Sequence, residues 1–463
     1  MDRALIAPSL CPAALRAFAE PVCRHLGWFG FFLVLAPIVG PRGYGLFALA
    51  LSGIAIAEAL LAATAVQVLV DSERLDERHL STALVATVAA GAAMSLVLYA
   101  AAGRIGAMLD EAPLADIFQS LTLLPMLGAL TVVPTARLRR DGRQAPFAAA
   151  TISGLATGGG AGVALAWAGA GPWSLVAQIV VQRFIECAVL WIMAGRGVGL
   201  GWSRTHFAEL NARLDLHALA AVWPAVARHG PCLLIGLSLG PVATGLYMIA
   251  ARCAEAISDI ARALPWPRAP VPPAEIARRV GLVAFPAMLG SASLAIIAPA
   301  LLDARWWGAV PAAQLLTIAA IPAALSYART VTARDRPGEA RWQAAQGIAG
   351  LAVVALAVPY GLVAVAAAAL AHAAAFGLAS LWPIRRRLAG DWRSGLEQAT
   401  RSLTAACATG LLLFALAEPV ALALAPVPAL CLLAGASRLC YLVIRGGTKP
   451  GRPALALRRA EPA

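Results

Sequence analysis

The sequence predicts an all-α, polytopic membrane bundle of about fourteen transmembrane helices: two pseudo-symmetric six-helix lobes and two further C-terminal helices. Three observations lead there. The 463 residues are 60% hydrophobic and only 13% charged, whereas soluble domains carry roughly 25% charged residues. Apolar stretches of the roughly 20 residues that cross a hydrocarbon core follow one another almost end to end. Finally, segments of the first half recur in the second half in the same order. A mean hydropathy of +0.76 excludes a soluble fold of this length.

Apolar runs broken by Gly/Pro turns or charge clusters place spans at 14–38, 44–70, 81–103, 114–136, 146–168 and 172–194. A second set follows at 217–239, 243–262, 280–302, 308–328, 342–358, 361–382, 399–417 and 420–443. The divisions expected from this are an N-terminal lobe over 1–200, a C-terminal lobe over 201–395, two extra helices over 396–445 and a basic tail over 446–463. The opening MDRALIAPSLCPAALRAFAE lacks the cationic, apolar and small-residue regions of a cleaved signal, so the first span is expected to stay in the mature protein.

Cytoplasmic loops retain cations. One alternate set of loops holds Arg137, Arg139, Arg140 and Arg143, then Arg196, Arg204 and Arg213, then Arg268, Arg278 and Arg279. The same set continues with Arg329, Arg334, Arg336 and Arg341, then Arg385, Arg386, Arg387 and Arg393, and ends in a tail with Lys449. The other set consists mostly of tight turns such as GPRG, GAGP, LGPV and VPYG, with at most one arginine each. Both termini are therefore expected on the cytoplasmic side of a bacterial inner membrane. The net charge of +13 follows from these loops, so no nucleic-acid partner is expected. The eight cysteines are scattered without a CxxC pair. Neither a metal site, a cofactor nor a disulfide framework is indicated.

The internal repeat has three echoes. Gly40-Pro41-Arg42-Gly43-Tyr44-Gly45-Leu46-Phe47 recurs in outline as Gly240-Pro241-Val242-Ala243-Thr244-Gly245-Leu246-Tyr247. LLPMLGAL from Leu123, with the basic loop after it, pairs with LLTIAAIP from Leu315 and its own basic loop. Gly171-Pro172-Trp173-Ser174-Leu175 pairs with Val358-Pro359-Tyr360-Gly361-Leu362. An even number of spans per unit makes both halves enter from the same side, related by a two-fold axis along the membrane normal.

These segments carry a family resemblance. GPRGYGLFALALSGIAIAEALL from Gly40, GAGPWSLVAQIVVQ from Gly169, LLIGLSLGPVATGLYMIAAR from Leu233 and RWWGAVPAAQLLTIAA from Arg305 resemble the Wzx-type polysaccharide biosynthesis flippases. That family belongs to the superfamily of multidrug, oligosaccharidyl-lipid and polysaccharide exporters. The chain departs from the family pattern at Arg228-His229-Gly230-Pro231-Cys232 and in the proline-rich ALPWPRAPVPPAEIARR. The resemblance implies export of a polyprenyl-diphosphate-linked oligosaccharide by alternating access. It implies as partners that cargo, membrane lipids, a proton or Na⁺ for coupling, and polysaccharide assembly proteins. It also implies that the last two helices form a groove for a polyprenyl tail; their other reading is structural padding or a dimer surface.

Ionisable groups at membrane depth cost roughly 2.5–3.5 kcal/mol on insertion scales and so face a bundle interior or a wet cavity. Here they are Glu20, Arg24, Glu58, Arg183, Glu186, Arg228, Arg252, Glu255 and Asp259. In one reading Arg24, Arg228 and Arg252 line a central cleft and bind a diphosphate, which suits the planar guanidinium fork. In the other, Arg183 with Glu186 and Arg252 with Glu255 are i,i+3 ion pairs. Arg24 and Arg228 lack an acid at i±3 or i±4 apart from Glu20 beside Arg24, and are read as partnerless. Glu58, Glu255 and Asp259 are ion-coupling candidates or counter-ions. His25, His229 and His372 are expected to pack or to bond between helices. Trp28, Trp167, Trp173, Trp306 and Trp307 are assigned to the aromatic belt. No paired carboxylates, nucleophile elbow or glycine-rich phosphate loop outside the lipid suggests catalysis. The alternatives are a multidrug-extruder-like antiporter, favouring acids in its cavity, and a membrane polymerase or ligase, with a large periplasmic loop.

Overall fold

The computed structural model describes residues 12–72, 76–195, 198–212, 222–263, 273–332, 338–385, 404 and 408. The first half comprises α1 (Pro12–Glu58), α2 (Thr64–Asp71), α3 (Glu77–Met108), α4 (Ala112–Leu121), α5 (Leu123–Arg140), α6 (Ala145–Trp167) and α7 (Trp173–Ala194). A short surface helix, α8 (Arg204–Asn211), precedes α9 (Trp223–Ala263), α10 (Pro273–Leu301), α11 (Val310–Thr332), α12 (Glu339–Ala357) and α13 (Leu362–Arg385). Of the predicted spans 399–417 and 420–443, only Thr404 and Ala408 are described. The basic tail also lies outside the described residues.

Ten helical runs among the described residues are long and apolar enough to cross a bilayer. Two of them, Arg24–Asp71 and Trp223–Asp259, are each too long for one crossing. α1 has 47 residues, and a straight helix of that length would run about 70 Å, more than twice the hydrocarbon thickness. Gly40 breaks it, with φ 68° and ψ 170°. Gly240 breaks α9 the same way, with φ 82° and ψ −179°. Both angles lie where glycine alone is unstrained. The first twelve predicted spans are thus all present. The short α8 was not foreseen, because eight mostly polar residues look like the loop around them.

The repeat is realised physically where the broken helices cross. α1 and α9 make the most extensive contact of any two elements among the described residues. A Cβ on Gly45 would lie 1.7 Å from the carbonyl oxygen of Pro241, and one on Gly245 would lie 2.1 Å from that of Pro41. Each half therefore lays a bare glycine against the other half's turn, as small residues let membrane helices approach closely.

The break also leaves carbonyls open, and the second half closes them. Pro41 has no N–H, so the carbonyl of Pro37 four residues earlier has no helical donor. Arg305 Nη2 donates to that oxygen at 2.9 Å, and Trp306 Nε1 donates to the carbonyl of Ala36 at 3.3 Å. A cation at a helix C-terminus also complements the dipole. Asp303 holds Arg305 in place, accepting from its backbone N and its Nε, both at 3.1 Å, and these bonds hold the Asp303 carboxyl below the usual carboxylate range. Trp306 is 0% exposed, edge-on to Phe32 and Tyr44. It is a core residue and not part of the aromatic belt, because its indole N–H has a backbone partner inside the bundle. Trp167, Trp173 and Trp307 are exposed, as the belt assignment expects.

Among the described residues two main apolar cores hold the bundle, the first spanning both halves and the second lying within the second half. One unites Leu35, Ile54, Leu114, Leu121 and Leu175 with Trp306. Another unites Ile235, Tyr247, Leu316, Val354 and Val365. Gly45→Ala should lower the melting temperature of the purified protein in detergent by several degrees, since a misfit methyl group in a packed contact costs about 1–3 kcal/mol. Gly160→Ala, whose Cβ would meet nothing within 4 Å, should leave it unchanged. Equal melting of the two variants would contradict the close crossing.

Candidate functional site

The α9 segment after its break carries Arg252, Glu255, Asp259 and Arg262, spaced three, four and three residues apart, which puts all four on one helix face. At 1.5 Å per residue they lie about 18–33 Å along the helix from Gly240. Arg24, sixteen positions before Gly40, lies about 24 Å from its own turn by the same rise. The charges thus form a layer at the end of the bundle opposite the glycine crossing.

The structure pairs these groups across helices and across the halves. Asp259 accepts from Arg24 and His25 of the first half, the latter at 2.9 Å from Nε2, and from Arg262 Nη1 at 2.9 Å. Its side chain is 9% exposed against 40% for Arg24. Glu255 is shared by Arg228, 3.0 Å away through Nε, and Arg252, 3.1 Å away through Nη1. The reading of Arg24 and Arg228 as partnerless is therefore corrected. Their acids come from another segment of the fold, and a search at i±3 and i±4 cannot see them. The Arg252–Glu255 pair read from the spacing is present.

A second cluster lies within the first half. Arg183 stands 3.5 Å from Glu58 and 3.9 Å from Glu186, so the expected i,i+3 pair is the longer of two contacts. Glu58 immediately precedes a π-helical turn, Ala59–Ala63. Gly128 faces it, and a Cβ there would lie 2.6 Å from Glu58 Oε1. The three histidines act between helices: His25 on Asp259, His229 Nδ1 3.4 Å from Ser52 Oγ, and His372 Nε2 3.0 Å from the carbonyl of Gln346. Among the described residues no group of three metal-ligating side chains comes together.

Between the halves lies a cavity of about 140 Å³. Arg24, His25 and Arg252 line it with Trp28, and Phe32, Tyr44 and Phe47 also face it. Gln178 and Gln182 of α7 form part of its wall. The Arg252 guanidinium sits 5.2 Å over the Trp28 ring, and Phe32 stacks on the same ring at 5.5 Å. Trp28 thus supports a cavity cation and is not a belt residue. Arg228, Glu58, Glu255 and Asp259 are not among the lining residues. Arg228 reaches the site through the carboxylate it shares with Arg252. The two glutamines went unremarked in the sequence, being uncharged; their i,i+4 spacing with Ser174 and Glu186 was the available signal.

Residues 34–263 match a family described as polysaccharide biosynthesis protein. Comparison with curated proteins finds no match. Among solved structures, the chain is similar to the lipid II flippase MurJ in an inward closed conformation, with a TM-score of 0.65 and 11% identity over 93% of this chain and 98% of that one. It is also similar to an inward-facing multidrug resistance MATE family transporter of the MOP superfamily, with a TM-score of 0.52 and 11% identity over 80% of this chain and 94% of that one. A mutant of the Vibrio cholerae MATE transporter VcmN gives 0.51 and 11% over 82% and 97%. At such identities the likeness establishes a shared fold, that of a multi-pass helical membrane protein.

If Asp259 is the shared anchor, Asp259→Asn should destabilise the purified protein more than Arg24→Gln, because Arg24, His25 and Arg262 all lose its negative charge and one of its two acceptor oxygens becomes a donor. In a double-mutant cycle read by thermal denaturation the pair should couple by about 0.5–3 kcal/mol. Strict additivity would contradict the pairing.

Proposed function

We propose that this chain, which shares the polysaccharide biosynthesis family pattern over residues 34–263, flips a polyprenyl-diphosphate-linked oligosaccharide across the bacterial inner membrane by alternating access. The observation that carries the reading is the polarity of the cavity. The charged side chains lining it are the cations Arg24 and Arg252, while Glu255 and Asp259 stand behind them. A cationic cavity fits an anionic cargo and disfavours the cationic substrates of a drug extruder. In this reading the lobes are 1–200 and 201–395, with two further helices over 396–445. The arginine-rich loops and both termini face the cytoplasm.

Arg24, Arg228 and Arg252 act as the diphosphate clamp. In the contracted state their charges are met by Asp259 and Glu255. Phosphate oxygens accept the same charge-assisted bonds, so cargo entry exchanges one set of acceptors for another. A cavity of 140 Å³ is smaller than the roughly 300–1,000 Å³ of ordinary ligand sites, so the halves must part to admit cargo. The carboxylates released by that exchange, and Glu58 beside Arg183, are the groups through which a proton or Na⁺ couples the return. Membrane lipids surround the bundle, and polysaccharide assembly proteins supply and receive the cargo. The cycle makes and breaks no covalent bond.

In proteoliposomes, Arg24→Ala and Arg228→Ala should each reduce translocation of an undecaprenyl-diphosphate-linked sugar at least tenfold, with the protein inserted at normal abundance. Lysine should restore part of the rate, since it keeps the charge but loses the bidentate fork. Normal translocation by the double alanine variant would refute the clamp.

A further inference from the structure

We infer that Gln178 and Gln182 form a hydroxyl-reading subsite for the first sugar of the cargo, on the wall of the cavity whose cations hold the diphosphate. The inference rests on the reading of that cavity given above. α7 repeats Ser174, Gln178, Gln182 and Glu186 at four-residue intervals, a polar stripe on a span that carries one other charged side chain, Arg183. α6 answers it with Gly154, Gly158 and Gly162 at the same interval. A Cβ on Gly158 would lie 2.5 Å from the carbonyl oxygen of Gln178, and one on Gly154 would lie 2.9 Å from that of Gln182. The two backbones therefore lie against each other, and α6 fixes how α7 is rotated toward the cavity.

Two members of the stripe bond within their own segment of chain. Ser174 Oγ donates to the carbonyl of Gly171 at 2.6 Å, and Gln182 Nε2 donates to Glu186 Oε1 at 2.8 Å. Gln178 is different. It is 9% exposed and lines the cavity, and its amide makes no hydrogen bond among the described residues. The amide is not among the fully enclosed polar atoms that lack a partner; it opens onto the cavity, and an amide there with no protein partner is free to bond a ligand.

The chemistry selects the ligand. An amide offers a carbonyl acceptor and an N–H₂ donor together, and a hydroxyl offers one donor with two acceptor lone pairs. A phosphate has acceptor oxygens and is served by the arginines. Stacking on the aromatic nearest the cations is blocked, because Trp28 has Phe32 on its ring and the Arg252 guanidinium over it. One helical turn separates the two glutamines, about 6 Å along the axis, a span matched to hydroxyls of a single sugar ring. Gln182 adjoins Arg183 in sequence, and Gln178 lies one turn nearer the Gly171 end of α7. A sugar covalently joined to the diphosphate must occupy the space next to the clamp, and this wall borders it.

The test uses the full-length protein in nanodiscs. The probes are undecaprenyl diphosphate alone and undecaprenyl diphosphate linked to glucose, galactose or N-acetylglucosamine, with affinities read by native mass spectrometry. The wild type should bind at least one sugar-bearing lipid about tenfold more tightly than the bare lipid, the size of one or two hydrogen bonds. Gln178→Met, which keeps the length and loses the amide, should abolish that preference while binding the bare lipid as the wild type does. Gln182→Met and Gln178→Asn carry the same comparison if Gln178→Met fails to fold. Equal wild-type affinity for all four lipids, or a parallel loss for bare and sugar-bearing lipids in the variants, would overturn the subsite while leaving the clamp standing. Failure of the wild type to bind bare undecaprenyl diphosphate would overturn the clamp and the subsite with it.

Discussion

Two bare glycines set the geometry from which the rest of the molecule follows. Gly45 and Gly245 let the backbones of the two halves meet at each other's Pro41 and Pro241 carbonyls, and no side chain larger than hydrogen fits there. With the halves held at this crossing, the helices that start from it run side by side. Their far ends then bring Arg24 and His25 to Asp259. The Arg305 and Trp306 bonds to Pro37 and Ala36 reinforce the crossing, because the break at Gly40 leaves those carbonyls in need of donors. Any rocking of one half against the other must use this contact as its fulcrum or break it.

At the opposite end electrostatics dominates. Charges at membrane depth persist only when paired or hydrated, and here two carboxylates of α9 serve four arginines and a histidine. Cations outnumber anions in that layer. In the proposed reading this excess positive charge is what would draw an anion into the cavity, and the carboxylates hold the arginines together without one. Aromatic support adds to this: Trp28 orders Arg252 by its ring face.

Much of the fold was legible because its causes are local. Span length, glycine-proline turns and alternating arginines are properties of a few consecutive residues, and the twelve crossings up to α13 fall where they were expected. The repeat was legible too, since Gly40 and Gly240 need the same backbone conformation. Less was legible in the site. Arg24 meets Asp259 across 235 positions of sequence, and nothing local encodes such a pair. Trp306 looks like a belt residue until the carbonyl of Ala36 comes within reach of its indole. Gln178 and Gln182 carry no charge and sit in an apolar run, so only their four-residue spacing opposite the α6 glycines marks them.

Acceptor exchange, with Asp259 and Glu255 standing in for the phosphates of absent cargo, is the claim on which the functional reading depends. Equilibrium binding of undecaprenyl diphosphate to the purified Asp259→Asn and Glu255→Gln variants tests it most directly. Exchange predicts tighter binding than in the wild type, by about tenfold for each variant, because about 1.4 kcal/mol of competing interaction is removed. Weaker binding in both variants would contradict it and would make the carboxylates supports for the arginines, with no part in the exchange.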